Sequence, residues 1–357
     1  CGGGIYCLSV SPKIANCRFE ENWATYGGGF YARSSAHPEL ETCSFSGNHA
    51  EAYGGALYIY YQSSLKLSDC AFTSNNASSQ GGGIWIQEGT TATLTRCSFT
   101  SNSTSYGGAI AVHNNCGTTL NDCTFEKNTA WNRGGGFYEN YYCSAALRNC
   151  AFDENVCNGD GYGGAAVFDD HSSGEVTNCG FTDNTGAHTG GVFVWHSSSS
   201  SINRCSFELN TGTSAGAIYN DGSTTVAKDC TIANNTATSG AGVRGWYATT
   251  TLERCSLTHN TASDTGGAIS ATGGTLTTVN CLVNDNTAKI GGAFYTYDTG
   301  GAVTNCTIYG NTASEAGGGH RTFAASPAIS NCISWNNLPE SVKGTATIGY
   351  SDVEGGY

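Results

Sequence analysis

A chain of 357 residues with a net charge of −13 repels polyanions, which argues against nucleic acid and anionic membrane surfaces as partners. No apolar run approaches the length of a membrane span, so no transmembrane segment is expected in this stretch. Fifty glycines, eighteen cysteines and no methionine favour turns over helices.

The chain opens inside a repeat, at CGGGIY, without an initiator Met, which predicts a processed or trimmed piece of a longer precursor. The first regular landmark is Cys17, followed five residues later by Asn22. The same pair recurs at Cys43/Asn48, Cys70/Asn75, Cys97/Asn102, Cys123/Asn128, Cys150/Asn155 and Cys179/Asn184. It continues at Cys205/Asn210, Cys230/Asn235, Cys255/Asn260, Cys281/Asn286, Cys306/Asn311 and Cys332/Asn337. These thirteen pairs are 25 to 29 residues apart. A fixed period of this size signals one small unit stacked many times.

In the repeat from Gly54 to Gln80, apolar and polar residues alternate in short bursts, which is strand periodicity. Three short strands and three turns in about 26 residues make one rung of a parallel β-helix. The predicted fold is therefore an all-β parallel β-helix of about 12–13 rungs, a single domain over residues 1–357. At about 4.8 Å per rung it would extend on the order of 60 Å.

The columns follow in chain order. Three residues before each ladder cysteine stands an aliphatic residue from Ile14 to Ile329, broken only by Ala227 and Thr278. Two residues after it comes Phe in eight consecutive rungs, from Phe19 to Phe207, then Ile232, Leu257, Val283 and Ile308. Both columns are expected to face inward. The asparagines are expected to bond their own turn and the next rung's asparagine. The ladder cysteines point the same way on parallel strands, a poor geometry for bridging, and read as small buried groups. Cys116 and Cys143 lie off the ladder, one rung apart in a turn, and are the expected disulfide. Cys1–Cys7 is a weaker candidate.

Outside these columns, strand alternation predicts two outward files. One contains Tyr31, Tyr58, Trp85, Tyr138, Val194, Tyr219, Arg244, Tyr295 and Arg321. The other contains Tyr60, His113, Asp169, His196, Asp221, Trp246 and Tyr297. So many exposed rings on one face predict a binding face for a glycan or protein partner, carried by Tyr31, Tyr58, Tyr60, Trp85, Tyr138, Trp246, Tyr295 and Tyr297. The competing reading is that the rings stack on one another and stabilise neighbouring rungs. Asp169, His196 and Asp221 are the residues closest to a catalytic set. The two carboxylates would stand about 9.6 Å apart at the backbone, which suits inverting glycoside hydrolysis. The insertion DENVCNGDG at 153–161 offers Asp153, Asn158 and Asp160 as a candidate Ca²⁺ site, although it lacks the spacing of the common calcium loop. No other cofactor is expected.

The tetrads GGAI at 107–110 and 266–269, GGAL at 54–57 and GGAF at 291–294, with FxxN from Phe19/Asn22 to Phe207/Asn210, resemble the repeats of chlamydial polymorphic outer membrane proteins. They are also similar to secreted bacterial β-helix proteins of the pectin lyase-like class. NCISWNN at 331–337 and GYSDVEGGY at 349–357 look like terminal coils of such proteins. The resemblance implies right-handed coiling, an extracellular or cell-surface location and an adhesive or structural role, with possible self-association into larger assemblies. The motif set expected of a polygalacturonase is absent. A polysaccharide-degrading enzyme, a glycoside hydrolase or lyase, is the alternative.

Overall fold

The computed structural model describes residues 2–355, and among them are strands and turns but no helix. Compact packing divides the chain into two units, one of Cys1–Gly180 with Asn184–Ala187, the other of Phe181–Asp183 with His188–Tyr357. Each unit is a parallel β-solenoid, and the thirteen Cys/Asn pairs mark about thirteen turns of roughly 26 residues.

A representative turn of the first unit holds four strands rather than three: Leu57–Tyr60, Ser64–Ser68, Ala71–Thr73 and Asn76–Ala77. The first two are separated by a corner at Tyr61 and Gln62, both with positive φ. Each strand pairs in register with its equivalents above and below, as in Phe45↔Phe72↔Phe99. In two turns of the second unit the first two strands merge into single long ones, Val243–Glu253 and Ile269–Val279. The last strand of each turn forms a seven-stranded sheet in the first unit and a four-stranded one in the second.

The five-residue spacing from Cys to Asn has a backbone cause. The residue before every ladder cysteine, from Asn16 to Asn331, has positive φ, and so does the residue before every ladder asparagine, from Glu21 to Asn336. Two left-handed corners thus bracket a three-residue strand. Asn, Asp and Gly tolerate that conformation best, and they fill many of these positions.

The predicted inward columns are buried. In the first unit Phe19, Phe45, Phe72, Phe99, Phe125 and Phe152 stack with centroids 4.4–5.0 Å apart and planes within 9° of parallel. Burying each ring contributes about 2–3 kcal/mol. Each interior asparagine bonds in both directions. Asn102 Nδ2 donates to Phe72 O at 2.9 Å and to Asn128 Oδ1 at 3.0 Å. Its Oδ1 accepts from Asn75 N and Nδ2. The same chain of amides runs from Asn210 to Asn337 in the second unit.

The ladder cysteines are free thiols, and they do more than fill space. Cys43 Sγ donates to Glu41 O at 3.3 Å and reaches Ile14 O at 3.6 Å. Cys150 N in turn donates to Cys179 Sγ at 3.4 Å. The sulfurs satisfy backbone groups that the corner removes from the ladder. Cys116 and Cys143, expected as a disulfide, are both free thiols, with Cys116 N donating to Cys143 Sγ at 3.4 Å. They belong to a file of small residues lining the corner after the first strand, together with Ser63, Thr90 and Ser172, which also turn inward. Cys1 lies outside the described residues.

Candidate functional site

On the exterior of the second and third strands of the first unit Ser and Thr recur, as at Thr91, Thr93, Ser98 and Thr100, alongside surface ion pairs such as Lys13–Glu39 and Arg148–Glu175. In the first unit the mutually stacked outward aromatics concentrate on the strands flanking each glycine cluster. Gly54, with φ of +66°, turns the chain so tightly that a Cβ there would lie 2.4 Å from Leu57 O. At Gly55 a Cβ would meet Gly82 O at 2.1 Å, because the next turn passes directly beneath. This corner folds the outward residue before it against the outward residue after it. Tyr53 and Tyr58 come to 6.2 Å between ring centroids.

The consequence corrects the expectation of an exposed face. Tyr31, Tyr58, Trp85 and Tyr138 are 4%, 5%, 1% and 2% exposed. They point away from the core yet form the floor of a groove. Its walls are the half-buried files Tyr26, Tyr53, Gln80, Tyr106 on one side and Arg33, Tyr60, Gln87, His113 on the other. Tyr31 stacks on Tyr58 at 4.9 Å, and Tyr53 lies 5.8 Å from Trp85. Tyr58 Oη donates to Gln87 Oε1 at 2.8 Å, and Trp85 Nε1 shares that acceptor at 3.2 Å. A shallow opening of about 250 Å³ remains between Tyr26, Tyr31, Tyr53, Tyr58, Tyr60 and Gln87. Burial raises the phenols of Tyr58 and Tyr138 and keeps both as neutral hydroxyls.

In the first unit the most exposed rings are ones the sequence pattern did not single out, among them Trp23 and Trp131 at 67% and 62% on the last strand of their turns. Tyr61, Tyr141 and Tyr142 sit in the left-handed corner after the first strand and are 48%, 46% and 55% exposed. His113 stacks on Tyr141 at 5.7 Å, and Tyr142 on His171 at 4.8 Å. Their signal in the sequence is a pair of bulky residues where other turns carry Ser, Asn or Gly. Of the expected binding residues in the second unit, Tyr297 is exposed, and Trp246 and Tyr295 are half-buried.

The candidate catalytic residues divide between the units. Asp169, in the first, is buried and forms an ion pair with Arg133 Nη1, with Tyr138 Oη at 3.4 Å. Arg133 also donates to Tyr138 Oη at 3.3 Å and lies over the Tyr162 ring. This carboxylate is engaged by its own side chains rather than presented to solvent.

In the second unit the register corrects one column. Phe193 pairs with Tyr219 and Val194 with Asn220, so Val194 faces inward. His196 is therefore not in the file of Asp221; the extension of that register puts Trp195 there. Thr189 takes the place held in most turns by the first glycine, as Ala215 does on the next turn, so counting from Gly190 assigns the file one residue too far along while the pairing itself is continuous. A one-residue offset reverses the face of every side chain that follows. His196 lies in a left-handed corner, stacked on Trp195 at 3.6 Å. Asp221 Oδ2 accepts from Tyr219 Oη at 3.2 Å. Burial raises its carboxyl above the ordinary range, against the opposing pull of the Tyr219 hydroxyl, His196, Arg244 and His188.

The insertion at 153–161 extends one turn. Asn158 N donates to Ala130 O at 2.8 Å, and the loop closes over Cys157, whose thiol burial pushes up to about 12. Asp153 ends the strand Ala151–Asp153, while Asp160 is exposed in the turn. Among the described residues no three His, Cys, Asp or Glu side chains converge as a metal site would require. No helix among them is long and apolar enough to cross a membrane.

No curated protein matches the sequence. Among solved structures, the chain is similar to the periplasmic alginate epimerase AlgG at 9% identity and a TM-score of 0.42, over 92% of this chain and 75% of that one. A second structure of that epimerase, with a threonine-to-asparagine substitution, gives 10% identity and a TM-score of 0.45 over 90% and 76%. The family described as "Right handed beta helix region" matches residues 1–125, 51–207 and 108–288. The chain belongs to this right-handed β-helix family.

Proposed function

We propose that the protein binds glycans at a cell surface or in an extracellular space, with saccharide rings stacking on the corner aromatics of the first unit. The supporting observation is the pair of solvent-facing rings Tyr141 and Tyr142, stacked with His113 and His171, with exposed Tyr61 at the equivalent corner three turns earlier. The packed groove behind them, from Tyr31 to Tyr138, acts as a rigid support and loses little entropy on binding. Rings with an apolar face and a polar edge suit sugars, which expose both C–H faces and hydroxyls. The Gly-, Ser-, Thr- and acid-rich surface fits the location. The enzymatic alternative gains no support at Asp169, whose carboxylate is engaged by Arg133.

Titration of the protein with neutral and acidic oligosaccharides by calorimetry tests the reading. Tyr61→Ala with Tyr142→Ala should weaken binding about tenfold or more while leaving the fold intact, as expected for aromatic contact residues. Absence of binding to every saccharide, or unchanged affinity in the double variant, would refute it.

A further inference from the structure

Among the arginines, Arg18, Arg96, Arg133, Arg148 and Arg254 each meet a carboxylate. Arg33, Arg244 and Arg321 meet none among the described residues, although acidic side chains number 28 against 15 Lys and Arg. All three lie on the strand after a glycine cluster, and all three stand over aromatic rings. Arg33 is 5.7 Å from the Tyr60 centroid. Arg244 is 5.2 Å from Trp246 and 5.7 Å from Tyr219. Arg321 is 4.0 Å from Phe323.

The second unit places two of them on one file. Arg244 pairs with Ser270, Ser270 with Tyr295, and Tyr295 with Arg321. Three rungs separate the guanidinium groups, about 14 Å at the backbone. Between and beside them lie the small Ser270 and the accessible rings of Tyr295, Tyr297 and Phe323. Arg244 Nε is buried without a hydrogen-bond partner, and a buried donor left unpaired is unfavourable. Its acidic neighbour Asp221 bonds Tyr219 instead. Besides its place over Phe323, Arg321 makes one side-chain hydrogen bond among the described residues, from Nη1 to Lys343 O at 3.3 Å. A planar fork held over a ring and lacking an anion is prepared for a carboxylate or sulfate.

We infer that this face of the second unit binds an anionic saccharide, with Arg244 and Arg321 each taking a carboxylate or sulfate group and Trp246, Tyr295 and Tyr297 contacting the sugar rings between them. The inference rests on the glycan-binding reading and adds the ligand's charge and a second location. Nucleic acid, the other common polyanion, is disfavoured by the overall charge of −13.

Affinities for oligogalacturonate, a heparin-derived oligosaccharide and a neutral xylo-oligosaccharide would be measured for the unaltered protein, Arg244→Gln, Arg244→Lys, Arg321→Gln and Tyr142→Ala. At least one anionic probe should lose about tenfold or more in affinity with Arg244→Gln or Arg321→Gln, with Arg244→Lys intermediate because it keeps charge but not the fork. Binding of oligogalacturonate would show that carboxylates suffice, binding of the heparin probe alone would show that sulfate is needed, and binding should weaken with added salt. Neutral-probe affinity should not change in the arginine variants, which also controls for folding. Anionic binding unaffected by either arginine change, but lost in Tyr142→Ala, would overturn this inference and leave the broader reading standing. No binding of any probe would overturn both.

Discussion

The two units share corners, asparagine ladder and thiol ladder, but they differ in what interrupts the core. In the first unit the Phe stack is unbroken, and the anomaly is Glu139, fully buried in the inward file otherwise held by Ile59, Ile86, Val112 and Phe168. Neither carboxyl oxygen has a hydrogen-bond partner. In the second unit smaller aliphatics replace Phe after Phe207, and polar residues enter the core at Asn220, Thr278 and His320. Asn220 Nδ2 bonds Thr249 O and Thr250 Oγ1, whereas the His320 ring, stacked on Phe294, has one hydrogen-bonding contact among the described residues, Nε2 to Thr296 Oγ1 at 3.3 Å. A repeated scaffold thus tolerates a buried ionisable group of either sign, provided it stays neutral.

The largest effect should come from the part the units share. Asn102→Ala in the first unit, or Asn260→Ala in the second, strands backbone and amide groups on both adjacent turns and should each cost about 3 kcal/mol in urea unfolding. If one substitution proves far milder, the ladders are not equivalent.

The pH response should separate the units. Burial lowers His320 from 6.5 to about 4. The unfolded chain therefore takes up a proton below pH 6.5 that the folded unit refuses, so the second unit loses about 3 kcal/mol as pH falls from 6.5 to 4. His320→Phe, matching Phe294 on the preceding turn, should abolish that loss. Burial raises Glu139 well above its ordinary 4.5, with Cys143 adding to the rise. Here the sign reverses. Stability is fully present below pH 4.5 and falls as pH rises, because only the unfolded chain then releases its proton. Glu139→Ile should stabilise the first unit at neutral pH by about 2 kcal/mol and flatten its pH dependence. Amide hydrogen exchange followed unit by unit from pH 4 to 7 would check both slopes. Parallel slopes in the two units would contradict the assignment.

The smallest effect is expected at the exposed ion pairs. Arg96→Gln and Arg254→Gln each break a surface contact, to Asp69 and Asp229 respectively, and neither should move the melting temperature measurably.

The ladder positions were legible in the sequence because stacking in register repeats one local conformation. Cys97, Phe99 and Asn102 sit at fixed offsets, and each offset keeps its face on every turn. The left-handed corners could have been read from Asp69, Asp122, Asn149 and Asn178 before their cysteines. Glu139 could have been found too, by tabulating the file of Ile59 and Val112. Fold class, inward columns and the asparagine chain were thus determined by the sequence alone. Only the tertiary structure decided which outward rings meet water. Tyr58 is covered because a glycine corner folds Tyr53 against it, a contact between residues from different strands that strand alternation cannot register. It also decided the face of Val194 and His196, since Thr189 fills the place of the first glycine and a count begun at Gly190 runs one residue ahead of the true register. The same holds for Arg244, whose guanidinium lies over rings rather than against a carboxylate, because that is a property of its surroundings rather than of its place in the chain.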